Sequence, residues 1–523
     1  MIPRLVNGAW LASALPSALR FEEALRDASA AQEDLLAEIL QANAGTAFGR
    51  EHGFGRIRSR REFARRVPLA TWDDLVPWIA RVERGEPNVL TREPVRRLVP
   101  TSGASGARKL VPYGAPLLAS FRNALSPWIV RLLREDAAVF AGRAYWSISP
   151  AFPEETTAGG LPIGFGDDTE YLGALGRLLA RGALAVPPSV ARLAAPELRA
   201  ATRRALLAAP DLSLVSVWHP AFLLLLTRDL SAADAEGLEP GRRREVLGIL
   251  RETRGDAGAR NRRLWPRLRC ISAWLDGPAA DHRARLAAEF PGVRLEGKGL
   301  LATEGVVSLP WNADSGPVLA LTSSVLELID EARGDVLLPH EARPGQVYEV
   351  VLTTPGGLHR YRLGDLVEVT GFSGEAPHLR FVARRGAVSD RFGEKLTEPF
   401  VRSVVGGAVF ALLSFEEETG GYVLFHEGPP EAPVAEALDA ALRANPHYAW
   451  ARDLGQLAAL RVVPVERGFE RFLASEALRG RRAGDVKPAL LCREGNRLRA
   501  FGVLPAGLAA TLARPGQQGA AAL

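Results

Sequence analysis

At 523 residues the chain is too long for one compact core, so two or more domains are expected. With 47% hydrophobic and 24% charged residues it has ordinary globular composition, and its net charge of +5 is spread thinly with no basic tract interleaved with aromatics, which excludes a nucleic-acid-binding reading. Cys270 and Cys492 are the only cysteines; they exclude a disulfide scaffold and a cysteine-built zinc site and fit a reducing, cytoplasmic setting.

Ile2 to Leu19 faintly imitates a signal peptide, but Asn7 and Pro16 interrupt its apolar run and it flows into the amphipathic Phe21 to Leu40, so a packed N-terminal helix is expected. No stretch reaches the roughly 18 unbroken apolar residues of a membrane span. Residues 20 to 66 read as helical, with Leu35, Leu36, Ile39 and Leu40 at helical spacing. His52, in the Gly/Phe-rich turn that follows, is assigned no chemistry. A short helix is expected from Trp72 to Val82.

Thr101-Ser102-Gly103-Ala104-Ser105-Gly106-Ala107-Arg108-Lys109 is a loop of hydroxyls and glycines closing on a lysine, suited to turning backbone N–H groups toward a phosphate. It is not a Walker loop, because Gly106 and Lys109 are separated by two residues and Leu110 follows. Taken alone, such a segment can equally be a solvated turn. The expected context is a strand Arg97–Pro100, the loop, and then a helix from about Pro116 to Arg134, with the loop feeding the helix.

Leu212 to Val217 reads as a buried strand, turned by Trp218-His219-Pro220 into a leucine-rich helix. His219 there could line a pocket or serve only as a hydrogen-bonded packing residue. Two further strands, Leu268 to Trp274 and Val293 to Glu296, flank a helix, and these alternating units argue a largely parallel sheet with ligands at the carboxyl ends of its strands. Thr303-Glu304 falls past such an end, where a hydroxyl and a carboxylate suit Mg²⁺ on ATP phosphates. Tyr348 to Thr353 and Leu358 to Arg362 read as strands joined by a turn. Asp365, after Gly364 at an expected strand break, is placed either to accept two ribose hydroxyls or simply to cap a hairpin. Beyond it, a hairpin at Val409 to His426, two helices and a strand Ala459 to Val465 suggest a small α+β domain. The tail after Pro505 is Ala/Gly/Gln-rich and is expected to fray.

Of the 65 lysines and arginines only Lys109, Lys298, Lys395 and Lys487 are lysine. A chain that uses arginine wherever surface charge suffices keeps lysine where a compact, rotatable ammonium matters, so the four are candidate site residues.

The phosphate loop resembles the [ST]-[ST]-G-x-[ST]-G-x-x-K segment of the adenylate-forming superfamily. Leu300-Leu301-Ala302-Thr303-Glu304, Tyr348 to Thr354, Gly357-Leu358-His359-Arg360-Tyr361-Arg362-Leu363-Gly364-Asp365, Phe381-Val382-Ala383-Arg384, Glu394 to Glu398 and Gly484-Asp485-Val486-Lys487-Pro488 are similar to the auxin-responsive acyl-acid amido synthetase family, known from plants and with bacterial members. The resemblance implies a large α/β domain at 1–384, with mixed and parallel sheets under covering helices, and a small, mobile α+β domain at 385–523. It implies ATP and Mg²⁺, a carboxylic acid and an amine (an amino acid by analogy) as substrates, no nucleic-acid or membrane partner, and a monomer. Thr101, Ser102, Gly103, Ser105, Gly106 and Lys109 would hold phosphates; Glu304 the metal, with Thr303 beside it binding the cofactor; Asp365 the ribose; Arg384, also cofactor-binding, would lie at the domain junction. Lys487 would supply the catalytic ammonium. Two departures are Leu300, where the family has an aromatic, and Ala104, where a loop hydroxyl is common. A thioester-forming ligase using coenzyme A, and a non-catalytic nucleotide or acyl binder, are the alternatives.

Overall fold

The computed structural model describes residues 2–101, 109–147, 155–165, 182–193, 195–312, 316–385, 388–389, 391–392, 394, 396–406, 408–428, 435–453, 455–479, 486, 489–492 and 495–502. They form two compact units, one through Arg385 and the other from Val388 onward. Ser102, Gly103, Ser105, Gly106, Lys395 and Lys487 lie outside the described residues.

In the first unit the strands Arg143–Trp146, Leu212–Ser216, Cys270–Ala273 and Arg294–Gly297 lie side by side in that order, all parallel. Their crossovers are helical, including Pro220–Thr227, Pro240–Glu252 and Arg283–Glu289. Every residue of Leu212–Ser216 and Cys270–Ala273 is buried, as expected of strands covered on both faces. His219 caps the helix Pro220–Thr227 by accepting the Ala221 N–H at 3.2 Å, which is its structural task.

This four-stranded sheet is the parallel sheet expected from the sequence, and the largest sheet is a separate one. Its seven strands, ordered Ser308–Asn312, Gly316–Leu319, Ala376–Arg384, Tyr361–Ser373, Val347–Thr353, Val325–Asp330 and Val336–Leu337, are antiparallel throughout. The N-terminal helices Ile2–Ala24 and Ala28–Asn43 join this sheet and the helix Ala115–Glu135 in one core that includes Phe21, Leu36, Leu117 and Val350. The strand from Tyr361 also does not break at Gly364. Gly364 has φ +79, a region glycine enters without Cβ strain, and the pairing with Val347–Thr353 shifts register beside it. That bulge sets Asp365 opposite Arg384.

Arg360, first of the Arg-Tyr-Arg run, is structural. Its guanidinium meets Glu327 with two buried 2.8 Å bonds and donates to the Ala64 and Val67 carbonyls. Arg360→Met would strand Glu327 as an uncompensated buried charge, and urea unfolding should show a loss of about 3–5 kcal/mol.

The second unit holds a four-stranded mixed sheet, ordered Ala458–Pro464, Gly421–Glu427, Phe410–Glu416 and Leu491–Cys492, packed on helices that include Glu398–Val405, Ala435–Leu442 and Pro446–Asp453. The helix Pro446–Asp453 was not anticipated from the sequence. No helix among the described residues is long and apolar enough to cross a membrane.

Candidate functional site

The described ends of the phosphate-type loop, Thr101 and Lys109, adjoin two paired strands. Arg97–Pro100 pairs antiparallel with Leu110–Tyr113, Pro100 opposite Leu110, and Thr101 N–H donates to the Lys109 carbonyl at 2.9 Å. The strand-loop-helix order expected from the sequence is therefore corrected: a second strand stands between the loop and the helix Ala115–Glu135. Val111, Pro112 and Tyr113 are buried in that strand, so their apolar character marks sheet rather than a lead into helix. The consequence is that Thr101 and Lys109 are fixed across from each other at the loop's base.

Tyr113 then reaches the second part of the site, its hydroxyl donating to the Thr303 carbonyl at 2.5 Å. Thr303 and Glu304 form the tip of a tight hairpin in which Ala302 pairs with Gly305, past the carboxyl end of Arg294–Gly297. Glu304 is buried, and its Oε1 has no hydrogen-bond partner among the described residues. Burial pushes its carboxyl above the usual range, against the pull of the Arg384 and Lys109 charges.

Lys109, Glu304, Asp365 and Arg384 are thus brought together. Arg384 Nε lies 3.9 Å from Asp365 Oδ1. The Lys109 ammonium is lowered from its ordinary value mainly by burial, then by Arg384, with Glu304, Asp73 and Asp365 opposing. Asp365 and Glu304 are both buried, as a pair of carboxylates tolerates only when cations face them.

Two aromatics complete the floor. A Thr71–Asp74 capping box, with Asp74 accepting from Thr71 N–H at 2.8 Å, starts the helix Trp72–Glu83 and fixes Trp72 at its first position. The Lys109 Nζ sits 5.7 Å from the Trp72 ring centroid, a cation–π distance. Tyr361 packs edge-on to Trp72, and its phenol is raised by burial and then by the Glu304 charge. Sequence reading missed Trp72, Tyr113 and Tyr361. The signal was present in the sequence as aromatics beside a capping box, a strand end and the Arg-Tyr-Arg run.

An unpartnered buried carboxylate oxygen facing two cations is a fit donor for a magnesium ion held mainly by phosphate oxygens. Among the described residues no cluster of three or more His, Cys, Asp or Glu could hold a metal by itself.

Residues 18–236 match the GH3 family N-terminal domain, 319–384 the GH3 family central domain and 402–496 the GH3 family C-terminal domain. The chain belongs to the GH3 family. It is 27% identical over 89% of its length to "Probable indole-3-acetic acid-amido synthetase GH3.12" of Oryza sativa subsp. japonica, covering 92% of that protein. It is 25% identical over 87% of its length to "Jasmonoyl--L-amino acid synthetase JAR4" of Nicotiana attenuata, covering 89%. Its fold is shared with the solved "AtGH3.15 acyl acid amido synthetase in complex with 2,4-DB", at a TM-score of 0.79 and 20% identity over 94% of this chain and 95% of that one.

Within this GH3 fold, Leu300 is buried in the main core, its N–H bonded to Ser308 Oγ at 2.9 Å. The apolar side chain there packs inward.

Lys298 lies two residues earlier. Desolvation pushes its ammonium down to about 7, with Cys270 and Glu296 opposing the shift. The unfolded chain therefore holds a proton at Lys298 that the folded chain gives up between about pH 7 and the ordinary 10.5, so this group makes folding more favourable as pH rises through that window. Urea unfolding across the window should show the unsubstituted protein gaining stability on the Lys298→Met variant.

Proposed function

We propose that this chain is an ATP-dependent acyl-acid amido synthetase. A carboxylate oxygen of the acid attacks the α-phosphorus of ATP and pyrophosphate leaves; an amine, an amino acid by family analogy, then attacks the acyl carbonyl and AMP departs. The observation that carries this reading is the single cluster of Lys109, Glu304, Asp365 and Arg384, with the Thr101 end of the loop at its edge.

In this reading Thr101, Ser102, Gly103, Ser105, Gly106 and Lys109 hold the β- and γ-phosphates, and Asp365 accepts from the ribose hydroxyls. Thr303 and Glu304 face the metal; when bound, magnesium supplies positive charge on the phosphate oxygens. Arg384 holds Asp365 in place, and Lys487, carried by the smaller unit, supplies an ammonium where charge develops on the transferring adenylyl group. No side-chain nucleophile is needed, because adenylation creates the leaving group and the protein contributes alignment and charge. The protein is taken as a cytoplasmic monomer with domains 1–384 and 385–523.

Incubation with ATP, Mg²⁺, a panel of carboxylic acids and either mixed amino acids or coenzyme A tests this. Acid-dependent pyrophosphate with an N-acyl amino acid by mass spectrometry is expected. A coenzyme A thioester as product would replace the amide reading, and the absence of turnover with every acid would leave only a binder.

A further inference from the structure

Across the parallel sheet, Trp146, Ser216, Ser272 and Glu296 stand in register as one row. Two residues after Ser216, Ser272 and Glu296, just past the strand ends, come Trp218, Trp274 and Lys298. The Trp274 N–H donates to the Trp218 carbonyl, and the Lys298 N–H to the Ala273 carbonyl, which keeps the alignment past the strand ends. The helix Ala115–Glu135 covers this face: Trp128 bonds Glu296 and lies 6.0 Å from the Trp146 ring.

Lys298 reaches back across the row. Its Nζ donates to Ser216 Oγ at 2.5 Å and sits 5.8 Å and 5.3 Å from the Trp128 and Trp218 ring centroids. The other cations here are paired, Arg131 and Arg294 each with both Glu135 and Glu296. Lys298 has no carboxylate within ion-pair distance among the described residues. Ser147 and Ser272, next to Ser216 across the strands, bury hydroxyls that find no partner among the described residues. Trp218, Trp274 and Lys298 keep partial exposure, so the cluster opens outward at the carboxyl ends of the strands, where α/β sheets bind ligands. The nucleotide cluster is near but distinct: Lys298 and Glu304 are six residues apart, at most roughly 20 Å of extended chain.

We propose that the acid accepted by this chain carries a second anionic group, and that Lys298, steadied by Ser216 beside the Trp128 and Trp218 rings, binds that group while the reacting carboxylate lies at the Glu304 end. The proposal rests on the amido synthetase reading for the site it deepens. A side-chain nitrogen held by Ser216 beside two indole rings, with no carboxylate at ion-pair distance among the described residues, takes up its proton and gains a partner when an anion arrives, and a plain monocarboxylic acid, whose one carboxylate is committed to the α-phosphorus, has none to give.

Two matched pairs test it: suberate against octanoate, and 4-carboxycinnamate against cinnamate. Binding is measured without ATP through tryptophan fluorescence, and pyrophosphate release with ATP is measured separately. In at least one pair the diacid should bind roughly 10- to 100-fold more tightly, the range for a hydrogen bond to a charged group. Lys298→Met and Lys298→Gln should shrink that preference toward unity. If neither pair favours its diacid in the unsubstituted protein, the proposal is overturned. The same holds if the variants weaken both members of a pair in parallel, since Lys298 would then hold the reacting carboxylate. Failure of every acid to release pyrophosphate would instead sink the ligase reading, and the binding comparison would still decide on Lys298.

Discussion

Glu304→Gln is expected to lower kcat/KM for acid-dependent pyrophosphate release by roughly 10²- to 10³-fold, the scale for removing one charge-stabilising group aimed at a transition state. The substitution keeps size and shape but removes the anion that faces Lys109 and Arg384. Because burial raises this carboxyl, the folded chain holds its proton more tightly than the unfolded one, and the ionised form is the less stable fold as pH rises above the ordinary 4.5. The glutamine variant should therefore resist urea better than the unsubstituted protein at neutral pH while losing activity. Activity and stability moving in opposite directions would separate a functional role from a structural one. The unsubstituted enzyme should also lose rate on acidification beginning above pH 4.5, a limb that the variant lacks.

Lys487→Ala should cut the adenylation rate by a similar factor, roughly 10²- to 10³-fold, while ATP binding changes little. In the proposed mechanism negative charge grows on the adenylyl group as the acid attacks, and a compact ammonium delivered only to the reacting complex would lower the barrier without tightening the ground state. Stopped-flow single turnovers with ATP and a competent acid would separate the two. A variant that adenylates at an undiminished rate removes Lys487 from the chemistry, whereas one whose KM for ATP rises with kcat intact makes it a binding residue. Lys487→Arg is the informative companion, since the larger planar guanidinium should not restore the rate.

Much of this site can be read from the chain because the chemistry has few residue types to choose from. The Thr101-to-Lys109 segment, Thr303-Glu304 and Gly364-Asp365 each stand out by composition, and the scarcity of lysine singles out Lys109 without reference to any relative. What the sequence hides is set by contacts at long range. Leu110–Tyr113 is four residues long and contains a proline, too short for a period to show, so the hairpin that braces the loop is invisible until Val111 and Tyr113 are seen buried. The large sheet is only partly legible: the turn after Thr353 marks one antiparallel pair, but short strands such as Gly316–Leu319 and Val325–Asp330 carry no mark of their pairing in their residues. Gly364 suggested an interruption, and the strand instead absorbs it as a bulge, which turns Asp365 toward Arg384. Trp72 and Tyr361 are ordinary core aromatics in sequence, and only their approach to Lys109 and Glu304 gives them a place in the site. Lys298 was singled out by rarity alone, and its setting of tryptophans and serines appears only when the parallel strands and the covering helix are brought together.

The attack of a carboxylate on the α-phosphorus is tested most directly by isotope transfer. An accepted acid labelled with ¹⁸O in its carboxylate is incubated with ATP and the amine, and the nucleotide and phosphate products are resolved by mass spectrometry. One labelled oxygen should appear in AMP, with unlabelled pyrophosphate. Label in inorganic phosphate with ADP as the nucleotide product, or AMP free of label, would contradict the mechanism drawn from this cluster of Lys109, Glu304 and Asp365.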